Sequence, residues 1–246
     1  LAILERGFND MAGRLQELHE TMQRRIDDAT AQLAFQARHD PLTGLINRRE
    51  FERRVEEALH AVKAGKARYV VCFLDLDRFK IINDTCGHVA GDELLRQLAH
   101  LLQHRVREGD VLGRLGGDEF GILLADCDEE DALRVVESLR RLVEDYRFGW
   151  HEHVFAVGAS IGMVVVDAEA AGIADLLSLA DQACYLAKEK GRNRIQVCRR
   201  DDREFIARRG EMNWAERISR AIEEDRLFFA AQRLPAGGRA LRAGRR

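Results

Sequence analysis

The sequence predicts an α/β (α+β) fold: a βαββαβ core in the ferredoxin-like arrangement with extra helices, preceded by a coiled-coil helix. Three observations carry this prediction. Apolar residues repeat in heptads over the first 38 residues. From residue 68 the patterns run strand, helix, strand, strand, helix, strand, helix, strand. The stretch Tyr69–Leu76 is apolar almost throughout, as in a central strand covered on both faces.

Each element has its own signal. Leu4, Phe8, Met11, Leu15, Leu18, Met22, Ile26, Ala29 and Leu33 alternate steps of four and three, with one stutter. That seam predicts a parallel two-stranded coiled coil and hence a homodimer; packing of the helix on its own domain is the alternative. Pro41 stops the helix. Phe51, Val55, Ala58, Leu59 and Val62 give helical periodicity over 47–64. Leu95, Leu98, Leu101 and Leu102 do the same over Asp92–Val106. Val111–Leu115 and Phe120–Leu124 read as two strands around a Gly-rich tip. Asp128 is placed to cap a helix whose inner face holds Ala132, Val135, Val136, Leu139, Leu142 and Val143. Val154–Val166 reads as one long strand broken by glycines, Ala174–Lys188 as a helix and Arg194–Val197 as a last strand. Further on, Glu211–Glu224 predicts a helix, Leu227–Ala231 a short strand and Pro235–Arg246 a disordered tail. The organisation is thus 1–38, 39–200 and 201–246.

Composition narrows the function classes. The net charge of −3 over 246 residues gives no electrostatic footprint for nucleic acid. Five cysteines, an odd count without CxxC spacing, argue against a disulfide framework or a zinc site and for a reducing compartment. No apolar run approaches the roughly 20 residues of a membrane span. A start without Met, inside a helical pattern, predicts an excerpt of a longer protein.

The chemistry gathers around acidic residues. Asp75 and Asp77 close the apolar strand at alternate positions, so both point to one side. Acids at the end of a central strand need water, a partner or a metal. Asp118 and Glu119 follow Gly116 and Gly117 at the hairpin tip, where two glycines allow a tight turn and close approach to a ligand. In a βαββαβ sheet the first strand and the hairpin can be neighbours. The two acidic pairs would then form a hard-oxygen site suited to Mg²⁺ rather than zinc. Each pair alone reads as turn-forming Asp and Gly; together in this topology they favour metal binding.

Five segments, in order, resemble the GGDEF family of diguanylate cyclases, whose fold is of the nucleotide-cyclase type. They are Asp40–Phe51 (DPLTGLINRREF), Phe73–Leu95, Arg114–Phe120 (RLGGDEF), Ala159–Val164 and Leu179–Ile195. The likeness covers about residues 40–198. It implies condensation of two GTP molecules into cyclic di-GMP and two pyrophosphates. Mg²⁺, or Mn²⁺, would be held by Asp75 and Asp118 with the Leu76 carbonyl. Glu119 would be a second metal ligand or would help activate the attacking 3′-hydroxyl. Asn83 and Asp92 would read the guanine edge, since Asn both donates and accepts and Asp accepts from the N1 and N2 hydrogens. Their alternative roles are helix caps. Gly116 and Gly117 would admit the phosphates. Lys188 and Arg192, four apart at a helix end, would neutralise the β- and γ-phosphates, with Lys80 a weaker candidate. His88 reads as structural or functional alike. One domain binds one GTP in this family, so two domains would face each other across a two-fold axis.

Arg107 and Asp110 form an RxxD, with five residues between Asp110 and Gly116. By its offset this resembles the family's inhibitory site, where cyclic di-GMP stops the enzyme. The opening LAILERGFNDMAGRLQEL resembles the second helix of a HAMP signalling module, which would make this chain the cytoplasmic part of a bacterial inner-membrane receptor. Trp214–Gln232 resembles the start of an EAL phosphodiesterase domain, though the EAL motif is absent. A competing reading is a catalytically silent domain that binds GTP or cyclic di-GMP and regulates a neighbouring EAL domain.

Overall fold

The computed structural model describes residues 2–199. The expectations for Glu211–Glu224, Leu227–Ala231, the Pro235–Arg246 tail and the EAL-like start lie outside the described residues.

The first element is α1 (Ala2–Arg38), one uninterrupted helix of 37 residues. Its seam residues Met22, Ile26 and Leu33 are exposed, as is Phe35. The helix gives way just before Pro41. There Asp40 accepts from the Thr43 N–H and hydroxyl at 2.9 and 2.8 Å, and Gly44 turns the chain at φ 72°. After the two-residue strand β1 (Ile46–Asn47), the Asn47 side chain accepts from the Glu50 N–H at 3.0 Å and caps α2 (Arg48–Lys63). Then follow β2 (Tyr69–Asp77), α3 (Phe79–Cys86), α4 (His88–Gln103), β3 (Val111–Gly116) and β4 (Glu119–Ala125). Asp128 caps α5 (Glu129–Asp145), accepting from the Asp131 N–H at 2.9 Å. The chain continues through β5 (Arg147–Trp150), β6 (His153–Ala156), β7 (Gly158–Val166), α6 (Ile173–Glu189) and β8 (Ile195–Cys198).

Six strands form a mixed sheet in the order β1-β3-β4-β2-β7-β8. Strand β2 lies between two antiparallel neighbours, with Asp75 opposite Glu119 on β4 and opposite Ser160 on β7. Its period of two sorts the side chains. Val70, Cys72, Leu74 and Leu76 enter a core shared with Leu94, Leu95 and Leu98 of α4 and Val136 and Leu139 of α5. Asp75 and Asp77 face the other way, toward α6 and the loop after it. Burying a side chain such as Leu98 contributes roughly 1.5–3 kcal/mol, against about 0.3–0.5 kcal/mol for an exposed helical ion pair such as Arg134–Glu130. The core therefore holds the fold.

Gly113, Gly121 and Gly162 stand in one row across the sheet, in register with Phe73. A Cβ on Gly162 would lie 2.1 Å from the Ala180 carbonyl oxygen and 2.3 Å from the Cys184 nitrogen. One on Gly121 would lie 2.6 Å from the Phe51 ring. The row lets α6 and α2 settle directly on the backbone of the sheet.

Three elements differ from the sequence reading. Helix α4 starts at His88, a turn before Asp92, and α3 precedes it; neither has a side-chain cap that would announce it. Asp92 is thus inside a helix and is not its N-cap, and Asn83 lies in the last turn of α3, whose C-cap is Gly87. The expected strand Val154–Val166 divides in two. Residues His153–Ala156 pair with β5 as a separate hairpin, leaving Val154 71% exposed. The main strand starts at Gly158, where a Cβ would meet the Asp77 carboxylate at 2.9 Å. No helix among the described residues is long and apolar enough to cross a membrane.

Candidate active site

Strand register brings the two acidic pairs to one end of the sheet. Asp75 is paired with Glu119, and the Leu76 N–H donates to the Asp118 carbonyl at 3.3 Å. The tip between β3 and β4 turns at Gly116 (φ 146°) and Gly117 (φ 50°). These angles favour glycine, and nothing lies within 4 Å of where either Cβ would be. The tip is therefore both tightly turned and open.

Two cations partly balance the acidic charge at this end. The Lys188 ammonium lies 2.5 Å from Asp75 Oδ2. Burial raises the Asp75 carboxyl; the Lys188 hydrogen bond opposes this, the charges of Asp118 and Glu119 add to it, and its pKa stands at about 6. Burial also works against the Lys188 ammonium, but Asp75 more than offsets it and that pKa is raised. Glu119 is held at 3.2 Å by Arg48, whose Nε donates to the Leu115 carbonyl at 2.9 Å. A carboxylate raised first by burial and then by its acidic neighbours is one that a further cation stabilises. This hard-oxygen donor set with surplus negative charge fits a hard divalent cation. Among the described residues no three His, Cys, Asp or Glu side chains already converge as a cation cage.

Asp77 has a different task. It accepts from the Ser160 hydroxyl at 2.7 Å and from the Asn193 backbone N–H at 2.8 Å. The Asn193 side chain is in turn held by Arg140 at 3.0 Å and Glu144 at 2.6 Å. This network fixes the loop that carries Arg192. Arg192 itself is not on a helix face with Lys188, as its spacing predicts. Helix α6 ends at Glu189, and Arg192 is exposed in the left-handed region at φ 62°, its N–H donating to the Ala187 carbonyl at 3.0 Å. The loop reverses the chain there, so Lys188 faces Asp75 while Arg192 reaches outward.

Asn83 is brought against the turn of α4 that carries Asp92. The Asn83 side chain lies across Gly91, the residue before Asp92, so closely that a Cβ on Gly91 would sit 2.0 Å from Asn83 Oδ1. That oxygen is buried and has no hydrogen-bond partner. A buried acceptor without a donor costs about 1–3 kcal/mol, which a bound donor group recovers. Lys80 is exposed in the first turn of α3, and His88, at the N-terminus of α4, is exposed as well.

The RxxD lies at the far end of β3 from the tip, about 17 Å along the strand. The Asp110 side chain is buried and accepts from the Ala125 N–H at 3.0 Å and from Arg107 at 3.4 Å. The Arg107 side chain is 59% exposed and also donates to the Ala125 carbonyl. Both residues line two clefts, of about 330 and 470 Å³, on either side of the loop.

Sequence reasoning missed the residues that hold the tip from outside. Arg114 donates to both Asp40 carboxylate oxygens at 3.1 and 3.2 Å and to the Gly117 carbonyl at 2.8 Å. The Asn47 side chain donates to the Ala37 carbonyl at 3.0 Å, tying the last turn of α1 to the start of α2. Asp40, Arg48 and Arg114 all fall within the quoted motifs, but no spacing rule pairs residues 74 positions apart.

Residues 37–194 match the family described as "Diguanylate cyclase, GGDEF domain". The chain is 42% identical over 200 residues to the probable diguanylate cyclase DgcE of Escherichia coli, covering 81% of this chain and 18% of that protein. It is 38% identical over 205 residues to the cyclic di-GMP phosphodiesterase PdeB of Shewanella oneidensis, covering 82% of this chain and 23% of that protein. The chain thus spans about a fifth of the length of these two relatives. Among solved structures it resembles the coiled coil and GGDEF domain of DgcB from Caulobacter crescentus, determined in complex with c-di-GMP. The TM-score is 0.69 and the identity 25%, over 76% of this chain and 99% of that one.

Proposed function

The chain belongs to the GGDEF family of diguanylate cyclase domains, and from that premise we propose that it condenses two GTP molecules into cyclic di-GMP. The observation that carries the proposal is the register of β2 with β4, which sets Asp75 against the Asp118–Glu119 tip. Asp75 and Asp118 would hold Mg²⁺ or Mn²⁺, with the Leu76 carbonyl and Glu119 available to it. When bound, the ion orients the triphosphate and offsets the charge that develops on it. Lys188 stands where it can exchange Asp75 for a phosphate oxygen, and Arg192 is free in the adjacent loop to meet the terminal phosphates. Asn83, whose buried oxygen lacks a donor, and its neighbour Asp92 take the guanine edge. Each 3′-hydroxyl attacks the α-phosphate of the opposite GTP. Two new phosphodiester bonds form, two pyrophosphates leave and two protons pass to solvent.

Each domain supplies one such half-site, so two chains must meet. The exposed seam of α1 supports a homodimer through this helix, raising the effective concentration of one half-site near the other. Arg107 and Asp110, with open clefts on both sides, would take cyclic di-GMP as inhibitor. The HAMP-like opening supports a place on the cytoplasmic side of an inner-membrane receptor.

The likeness to a phosphodiesterase favours one second reading: a silent domain that binds GTP or cyclic di-GMP and controls an EAL domain. One experiment separates the two. The purified dimeric chain, stripped of cyclic di-GMP, is incubated with GTP and Mg²⁺ and the nucleotides are resolved by chromatography. Cyclic di-GMP and pyrophosphate are expected. GTP that binds but stays unchanged would overturn the cyclase in favour of the regulator.

A further inference from the structure

His100 and His104 lie one turn apart at the C-terminal end of α4, both exposed. Their Nε2 atoms are 3.1 Å apart, with ring centroids 4.3 Å apart and planes at 76°. Residues four apart on a helix share a face, and here the two Nε2 atoms share one hydrogen bond, so both outer nitrogens already sit side by side. With metal–nitrogen bonds of about 2.0–2.1 Å, a 3.1 Å separation subtends about 95–100° at an ion. That lies between the octahedral and tetrahedral angles, so an ion that displaces the shared proton can take both nitrogens at this separation. The carbonyl end of the helix adds partial negative charge at the same place.

The catalytic reading uses neither histidine, and the two sites differ in chemistry. Carboxylate and carbonyl oxygens suit Mg²⁺, whereas imidazole nitrogens suit zinc, nickel and copper. We infer that His100 and His104 form a bidentate surface site for a first-row transition ion, Zn²⁺, Ni²⁺ or Cu²⁺, with the remaining coordination positions open to water. The site closes the last turn of α4, immediately before the Arg107–Asp110 loop, so a bound ion would staple the turn from which that loop departs.

The test is calorimetric titration of the full chain with Ni²⁺ in excess Mg²⁺, which keeps the acidic residues occupied. It is repeated on His100→Ala, His104→Ala and the double variant. The wild-type chain is expected to bind one more equivalent than the double variant. Each single variant, left with one ligand, should bind that equivalent roughly a hundredfold more weakly. Cu²⁺-loaded wild type should show nitrogen hyperfine coupling from two imidazoles, and His104→Ala from one. Both side chains are exposed, so metal-free melting should be the same in all variants. Equal stoichiometry and affinity in wild type and double variant would overturn the inference.

Discussion

Replacing Gly162 by Ala tests how the sheet seats the helix that carries Lys188. The new Cβ would lie 2.1 Å from the Ala180 carbonyl oxygen and 2.3 Å from the Cys184 nitrogen. Both are more than about 1 Å short of ordinary contact. Both are backbone atoms of α6, so no rotamer change relieves the clash and the helix must move off β7. Overpacking of a core costs about 1–3 kcal/mol, and a rigid neighbour places this case near 3 kcal/mol. For a domain of this size that lowers Tm by about 6–12 °C. Lys188 is one turn beyond Cys184, so its 2.5 Å contact with Asp75 opens as well. Urea unfolding gives the stability, and GTP turnover well below the transition gives the site. Gly121→Ala meets a ring rather than backbone and should cost less. A Gly162→Ala chain with a wild-type urea midpoint and wild-type turnover would refute the argument.

Other perturbations separate the remaining contacts. Arg114→Ala frees Asp40 and the Gly117 carbonyl; it should cost on the order of 2 kcal/mol and reduce turnover more than that loss explains, read from melting and assay at one temperature. Arg107→Ala should relieve inhibition by cyclic di-GMP, and an unchanged dose–inhibition curve would remove Arg107 from the inhibitory site. Glu50 is buried beside Arg53 and Arg54, and hydrogen bonding to Arg53 first, against burial, holds its carboxyl at about 2. Because the folded pKa lies below the unfolded one, this stabilisation is full above pH about 4.5 and is lost as pH falls toward 2. Solvent screening at the exposed arginines keeps it to about 1 kcal/mol. Glu50→Gln should therefore flatten the acid limb of the urea-midpoint profile between those values.

The parts of this fold that the sequence announced are those written in local pattern. The apolar run of β2, the period of two that sends Asp75 and Asp77 to one face, the Gly-rich tip and the Asp128 cap each follow from neighbours in the chain. Helix α3 and the early start of α4 were hidden because their caps are Arg78 at φ 63° and Gly87 at φ 83°, with no side-chain cap to read. The β5–β6 hairpin was hidden because its strands pair outside the main sheet, so Val154 gains no core partner despite its type. At the site, the acidic residues were legible and their counter-ions were not. Arg48, Lys188 and Arg114 reach their partners across 71, 113 and 74 residues, distances at which only the closed sheet brings them together. The different fates of Asp75 and Asp77 depend likewise on which part of the α6 region each meets.

The role of the acidic tip is tested by GTP turnover of the wild-type chain and Asp118→Asn, assayed side by side. Asp118 is half-buried at the open tip and the substitution is isosteric, so both chains should unfold at nearly the same urea concentration. Cyclic di-GMP is expected from the wild type and at least about a hundredfold less from the variant. A folded Asp118→Asn chain that makes cyclic di-GMP at the wild-type rate would contradict the assignment of the acidic tip to the metal and with it the proposed mechanism.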